Sequence, residues 1–317
     1  MSSTNRSLVL GAYSRLPVQH LEPFVRSLRA TGFRGAFCIV AGRCDQEERA
    51  QLDELADSVV DVDSEYGTEL PVARTLLTYL RRTRGLRRTY APAFQAVARA
   101  TSERSAFRRW SSLEYHLEGL QTLRYLHYHR YICARKPLPD VVMITDLRDV
   151  VFQCDPFSDP VRGLELYLED AAVRIGEDDF NTRWIRDLFG AAELHGLRGR
   201  PVSCSGTVVG TRETMLAYLA EMTAQIVWRR RPMGPRDQAV HNMLLHGGRL
   251  FSAKVIRNGY GRVLTMGKMP TYRTSPEGTI LNVDGSIPAV LHQWDRHGDL
   301  VAQLEGRDVP FALANSS

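Results

Sequence analysis

Asp146 and Asp149 stand three residues apart, just after an apolar run, in Val141-Val-Met-Ile-Thr145-Asp-Leu-Arg-Asp149. Val141 to Ile144 is short, unbroken and mostly β-branched, which predicts a strand buried on both faces. The two carboxylates then fall where the chain leaves the sheet. Open α/β sheets bind ligands at that carboxyl edge. Close carboxylates repel each other unless a cation or hydrogen bonds compensate them. Hard divalent ions such as Mg²⁺ or Mn²⁺ prefer oxygen ligands of this kind, usually beside substrate phosphates. The simpler alternative is a charged turn in which Arg148 neutralises both aspartates.

Three further groups of polar residues sit where elements begin or end. Small residues, Ser203-Cys-Ser-Gly206, lead into a strand, and Gly206 predicts close approach by a ligand or by backbone. Asp237-Gln238 opens a helix, where Asp237 also suits an N-cap. The strand Ala289 to Leu291 runs into His292-Gln-Trp-Asp-Arg-His297. A histidine at a strand end is placed to ligate a metal, or merely to pack or hydrogen-bond. His127 and His129 are two apart on a helical stretch, face different directions and make no metal pair; partly buried or surface positions are expected.

The elements that must position these groups read as alternating strands and helices. Ser7 to Tyr13, Ala36 to Ala41 and Ser58 to Val62 are strands. Between them lie a helix from Leu21 to Ala30 and one ending at Ala56, capped by Asp45. This β-α-β-α-β start predicts a parallel sheet with right-handed crossovers. Helices follow over Glu69 to Arg82 and Trp110 to Cys133, with 84–102 mostly loop. Later strands are expected at Leu164 to Leu168, Pro201 to Gly210, Phe251 to Ile256 and Arg262 to Met266. Helices are expected at Asp179 to Gly190 and from Thr211 to about Trp228, and a loop at His195 to Arg200.

Composition excludes several classes. The chain has 317 residues, 44 % apolar and 24 % charged, as in ordinary globular proteins. The net charge is +5 and almost wholly arginine, with clusters at Arg81 to Arg88 and Arg229 to Arg231. Neither cluster is interleaved with aromatics in a recognised module, so nucleic acid is not the expected partner. The five cysteines are odd in number and lack Cys-x-x-Cys spacing, which points to free thiols in a reducing compartment. Cys38 and Cys133 read as core residues. The first apolar run is too short for a signal peptide or a membrane span, so a cytoplasmic protein is expected. No Gly-x-Gly-x-x-Gly follows the first strand and no Gly-Lys-Ser/Thr occurs, which disfavours a dinucleotide fingerprint and a P-loop. Tyr13, after the first strand, is placed either to meet a nucleotide base or to pack at the sheet edge.

Together these pieces resemble a nucleotide-sugar-dependent glycosyltransferase of the GT-A fold. The resemblance rests on Phe24 to Phe33, Thr145-Asp-Leu-Arg-Asp-Val-Val-Phe152, Cys204-Ser-Gly-Thr207, Asp237-Gln238 and His292 to His297, and covers about residues 7 to 300. It implies one Rossmann-type α/β domain over residues 1–317, with a mixed, mostly parallel central sheet flanked by helices. About 1–157 would be the nucleotide-binding half and 158–317 the sugar- and acceptor-binding half. Such enzymes hold Mn²⁺ or Mg²⁺ on the donor diphosphate with an Asp-x-Asp motif at a central strand end; here the spacing is Asp-x-x-Asp. By resemblance to glycogenin-like retaining members, the metal ligands are Asp146, Asp149 and His292, with His297 in reserve. The implied donor contacts are Ala12, Tyr13, Ser14, Arg124, Thr145, Asp146, Leu147, Ser205 and Gly206. Asp237 and Gln238 fall at the reaction centre. The implied partners are a nucleoside-diphosphate sugar and a hydroxyl acceptor, either a small molecule or a glycan. Competing readings are a nucleotidyltransferase acting on a sugar phosphate, a phosphatase with an aspartyl nucleophile, and an inactive nucleotide-sugar or nucleic-acid binder.

Overall fold

In the computed structural model the central strand is β4 (Val141–Thr145), buried along its whole length as its apolar sequence requires. The structure describes residues 6–66, 115, 119–227, 237–250 and 252–305. The expected helix at 69–82, the segment 84–102 and both arginine clusters lie outside these residues, as does most of 110–118.

Beside β4 runs β1 (Ser7–Tyr13), followed outward by β2 (Ala36–Ala41) and β3 (Ser58–Asp61). On its other side lie β7 (Ser203–Thr211), β6 (Glu165–Leu168) and β8 (Lys254–Ile256). The seven strands have the order β3-β2-β1-β4-β7-β6-β8. β7 is antiparallel to both neighbours and the other pairings are parallel. The protein is thus α/β, with a mixed, mostly parallel seven-stranded sheet flanked by helices.

The pleat divides the core into two layers. Leu8, Leu10, Val142 and Ile144 face α4 (Leu120–Ala134) and α7 (Arg212–Val227). Val9, Tyr13, Val141 and Met143 face the opposite layer, which contains Phe24 and Leu28 of α1 (Glu22–Ala30) and Leu52 of α2 (Gln46–Leu55). Asp45 caps α2 in a reciprocal capping box with Glu48, as the sequence predicts. A one-turn helix, α3 (Asp63–Tyr66), follows β3.

A second sheet covers that same layer. Its strands are β5 (Val150–Phe152), β9 (Val263–Thr265) and β12 (Val290–His292), in the order β5-β12-β9. Val150, Phe152, Val263 and Val290 point into the layer shared with the main sheet. Val151, Leu264 and Leu291 point the other way, onto Trp294 and onto Leu300 of α9 (Gly298–Glu305). A two-residue pairing of β10 (Arg273–Thr274) with β11 (Ile280–Leu281) lies beyond it. The helices α5 (Asp179–Phe189), α6 (Ala191–Leu197) and α8 (Asp237–His246) complete the fold.

Several expectations need correction. His195 to Arg200 is not all loop: α6 runs to Leu197, because Leu194 and Leu197 bury one helical face among Ile175, Ile185 and Val202. Cys133 is exposed rather than core, since it falls on the outer face of α4, while Cys38 is buried. His127 is buried, not superficial. β5 was not expected as a strand, because three apolar residues behind a charged turn carry no period of their own. All five cysteines are free, and no described helix is long and apolar enough to cross a membrane.

Candidate metal centre and cavity

Three chain segments converge at the carboxyl edge of the sheet. Asp146 is the first residue after β4, and its backbone N–H donates to the Gly206 carbonyl on β7 at 2.7 Å. Asp149 immediately precedes β5. The antiparallel pairing of β5 with β12 sets Val150 opposite His292, and Gln293 N–H donates to the Asp149 carbonyl at 2.6 Å. The pairing of the second sheet therefore fixes the distance between the aspartate turn and a histidine more than 140 positions later.

His292 Nε2 lies 3.8 Å from Asp146 Oδ2 and 3.8 Å from Asp149 Oδ1. One ligand atom from each residue falls within 4.8 Å of the others. An ion bonded at ~2.1 Å sets its ligand atoms about 3 to 4 Å apart, so the three need only a small closure to share one. Two observations favour that use. His292 is fully buried, yet its Nε2 has no hydrogen-bond partner among the described residues. Gly206 leaves open the space between them: a Cβ there would stand 2.5 Å from Asp146 Oδ2 and 2.8 Å from His292 Nε2. The other ring nitrogen, Nδ1, lies 3.6 Å from Cys204 Sγ, which orients the ring with Nε2 toward the carboxylates. The residues fit a divalent ion, and one imidazole beside two carboxylates suits Mn²⁺ better than Mg²⁺.

Charge is compensated unequally. Burial opposes ionisation of Asp146, but Arg124 and His292 outweigh it and hold that carboxyl well below the usual range. Burial pushes Asp149 up, and Asp146 and Asp295 add to the effect against the pull of His292. Burial also disfavours a charged His292, yet Cys204 and the two carboxylates push its pKa well up. Arg148, expected to neutralise both aspartates, is 3.9 Å from Asp149 but turns to Asp295 at 3.1 Å. Arg124 of α4 takes the larger part: its Nη1 donates to Asp146 Oδ1 at 2.5 Å and its Nη2 to Asp237 Oδ2 at 2.6 Å. The Tyr125 hydroxyl donates to the same Oδ2 at 2.8 Å. Arg124 thus bridges two acids that lie far apart in the sequence.

A cavity of about 440 Å³ opens over this cluster. Ala12, Ser14, Arg124, Asp146, Leu147, Asp149, Ser205, Gly206, Asp237 and Gln238 line it. Two expected donor contacts do not. Tyr13 shares the pleat face of Val9 and is buried beneath α1 and α2, its hydroxyl donating to the Leu16 carbonyl and to Glu48 Oε1. It takes the packing alternative, because strand parity turns its ring away from the edge. Thr145 is buried within the β4–β7 pair, where its hydroxyl meets Thr207 Oγ1 at 3.2 Å. His292 is fully buried and does not line the cavity, while His297 Nε2 donates to the Met266 carbonyl at 3.0 Å and stands outside the cluster.

The loop carrying the aspartates is shaped by Gly11. A Cβ there would overlap the Leu147 side chain at 2.0 Å, so only glycine lets Leu147 fold back over the end of β1. Sequence reasoning did not single out Arg296, Trp184, Cys204 or Gln293 as cavity residues. Arg296 lies inside the run from His292 to His297, which was a usable signal; Trp184 gave none. No protein-family model matches this chain and no curated protein matches its sequence. Fold and site together define an α/β protein with a two-aspartate, one-histidine cluster beside a polar cavity.

Proposed function

We propose that this chain is a GT-A-type glycosyltransferase that moves a sugar from a nucleoside-diphosphate sugar to an acceptor hydroxyl. The observation that carries the reading is the cluster of Asp146, Asp149 and the buried His292 Nε2, which has no hydrogen-bond partner among the described residues, with both aspartates lining one cavity at the carboxyl edge of the sheet. Asp146, Asp149 and His292 would hold Mn²⁺ or Mg²⁺, which when bound supplies positive charge against the donor diphosphate.

The remaining roles follow from position in the cavity. Ala12 and Ser14, at the end of β1, line the nucleoside end. Arg148 and Arg296 also line the cavity and reach the phosphate oxygens, where they stabilise charge as the nucleoside diphosphate leaves. Ser205 and Gly206 line the donor sugar, and Gln238 reaches its hydroxyls. The bond from the anomeric carbon to the phosphate oxygen breaks, and its electron pair stays on the diphosphate. The acceptor oxygen bonds to the anomeric carbon and loses its proton.

Asp237 is the carboxylate placed to take that proton in an inverting reaction. Its Oδ2, however, already accepts from Arg124 and Tyr125. Its Oδ1 accepts from the Gln238 backbone N–H at 3.1 Å, so both carboxylate oxygens are already engaged. This favours the retaining route, in which the leaving diphosphate accepts the acceptor proton and Asp237 holds Arg124 in place.

A thermal-shift panel of nucleoside diphosphates and nucleotide sugars, each with and without Mn²⁺, tests the reading. Stabilisation by one nucleotide family that depends on Mn²⁺ is expected. No stabilisation by any member would overturn it.

A further inference from the structure

Phe180 exposes 52 % of its surface, although it is one of the larger apolar side chains in the protein. It stands one helical turn before Trp184 on α5, so the two side chains share a helix face. Their ring centroids are 5.6 Å apart, tilted at 45°. The neighbouring face of α5 is committed to the interior through Asn181 and Ile185. A lone exposed aromatic needs no explanation. This one continues into Trp184, which forms part of the wall of the polar cavity over the metal cluster.

The platform lies on a defined side of that cavity. Ser14 follows β1, Asp146 follows β4 and Gly206 lies on β7, three adjacent strands. α8 packs on β7, and α5 packs on α8. Trp184 therefore joins the cavity wall from the α8 and β7 side, and Ser14 from the β1 side. Gln238 connects the two helices: its Nε2 donates to Asn181 Oδ1 at 3.3 Å and to Glu169 Oε1 at 3.1 Å. Amide and carboxylate groups thus stand beside an apolar surface made of two tilted rings. Arg183 stacks over the Phe180 ring at 5.4 Å and adds donors at the rim.

We propose that Phe180 and Trp184 form the acceptor subsite and that the acceptor is a carbohydrate. A pyranose presents an apolar face of C–H groups and a rim of hydroxyls, which matches an aromatic surface bordered by fixed polar groups. A nucleobase also stacks on aromatic rings, but the nucleoside end of the cavity is assigned to Ser14, on the β1 side. The inference rests on the glycosyltransferase reading for the direction of the ligand, and its test separates the two.

Tryptophan fluorescence of the full chain is titrated with maltose, cellobiose, lactose and methyl α-mannoside, and nucleoside diphosphates with Mn²⁺ are titrated in parallel by thermal shift. At least one sugar should give a saturable fluorescence change that Trp184→Phe removes. Phe180→Ala should weaken the same sugar by about fivefold or more. Phe180 is half-exposed, so this variant folds. If nucleoside diphosphates stabilise the protein and no sugar changes fluorescence up to about 100 mM, the subsite is overturned while the donor reading stands. If Phe180→Ala weakens a nucleoside diphosphate as much as the sugar, the platform holds the base and the proposal fails. Silence in both titrations would overturn both readings, whereas sugar binding without any nucleotide effect would keep the subsite and remove the donor.

Discussion

Gly206 and His292 face each other so closely that a Cβ on residue 206 would stand 2.6 Å from the imidazole Cε1 and 2.8 Å from Nε2. The backbone at 206 is not left-handed, so alanine is excluded by space and not by conformation. Gly206→Ala should therefore weaken Mn²⁺ binding by at least about tenfold, because the methyl group displaces His292 or occupies the ion's place. Isothermal titration with Mn²⁺ reads this, with a urea melt to show that the fold persists. Unchanged affinity would mean that no ion sits between the two residues.

Asp149→Asn keeps the shape of the turn and removes one anionic ligand. It should abolish transfer and lower Mn²⁺ affinity by about tenfold or more. His292→Ala should do the same to the metal titration. Cys204→Ala, which removes only the sulfur against His292 Nδ1, should cost about tenfold in Mn²⁺ affinity through loss of ring orientation. A full-strength metal response in Asp149→Asn would remove the cluster from the site.

Arg124 holds Asp146 and Asp237 at once, and its pair with Asp237 is nearly sealed from water. Deleting one partner of such a pair leaves a buried charge uncompensated, which costs about 3–5 kcal/mol. Arg124→Met should destabilise the protein by that order in urea denaturation. Adding Asp237→Asn should recover at least about 1 kcal/mol, since the orphaned charge is then removed. No recovery would mean that the loss came from packing of the arginine stem.

Two buried histidines give a pH dependence of known sign. Burial lowers His241 to about 3, where it bridges the Tyr218 hydroxyl at 2.9 Å and Ser203 Oγ at 2.8 Å. Burial, with Arg130 adding to it against Glu65, lowers His127 to about 4. Between these values and about 6.5 the unfolded chain takes up protons that the folded protein refuses. Their contribution is thus complete above about pH 6.5 and is lost as the pH falls, with a slope of up to about 1.4 kcal/mol per unit for each group. Urea melts between pH 7 and pH 4.5 should show the decline, and His241→Gln should flatten it. Equal slopes for the variant and the parent would contradict the assignment.

Much of the main sheet was readable from local pattern. β1 and β2 fall where the apolar runs Ser7 to Tyr13 and Ala36 to Ala41 place them, and α2 begins at its Asp45 cap. A buried parallel strand is nearly all apolar, so it announces itself without knowledge of its neighbours. β5 did not, because Val150–Phe152 becomes a strand only by pairing with β12. Cys133 was misjudged, and Tyr13 was left between two readings, for a related reason: which side a residue takes depends on what covers that side.

The sequence by itself determined that acids follow a central strand at Asp146 and Asp149, that small residues flank Gly206, and that a histidine ends a late strand at His292. These are statements about residue types at element ends, and periodicity and turn chemistry suffice to make them. Only the tertiary structure decided that Asp149 meets His292 through the β5–β12 pairing, that Arg124 rather than Arg148 compensates Asp146, and that Trp184 joins the wall of the cavity. Each of these joins positions distant in the chain, and such distances are set by the pairing of sheets and the packing of helices, which no local pattern encodes.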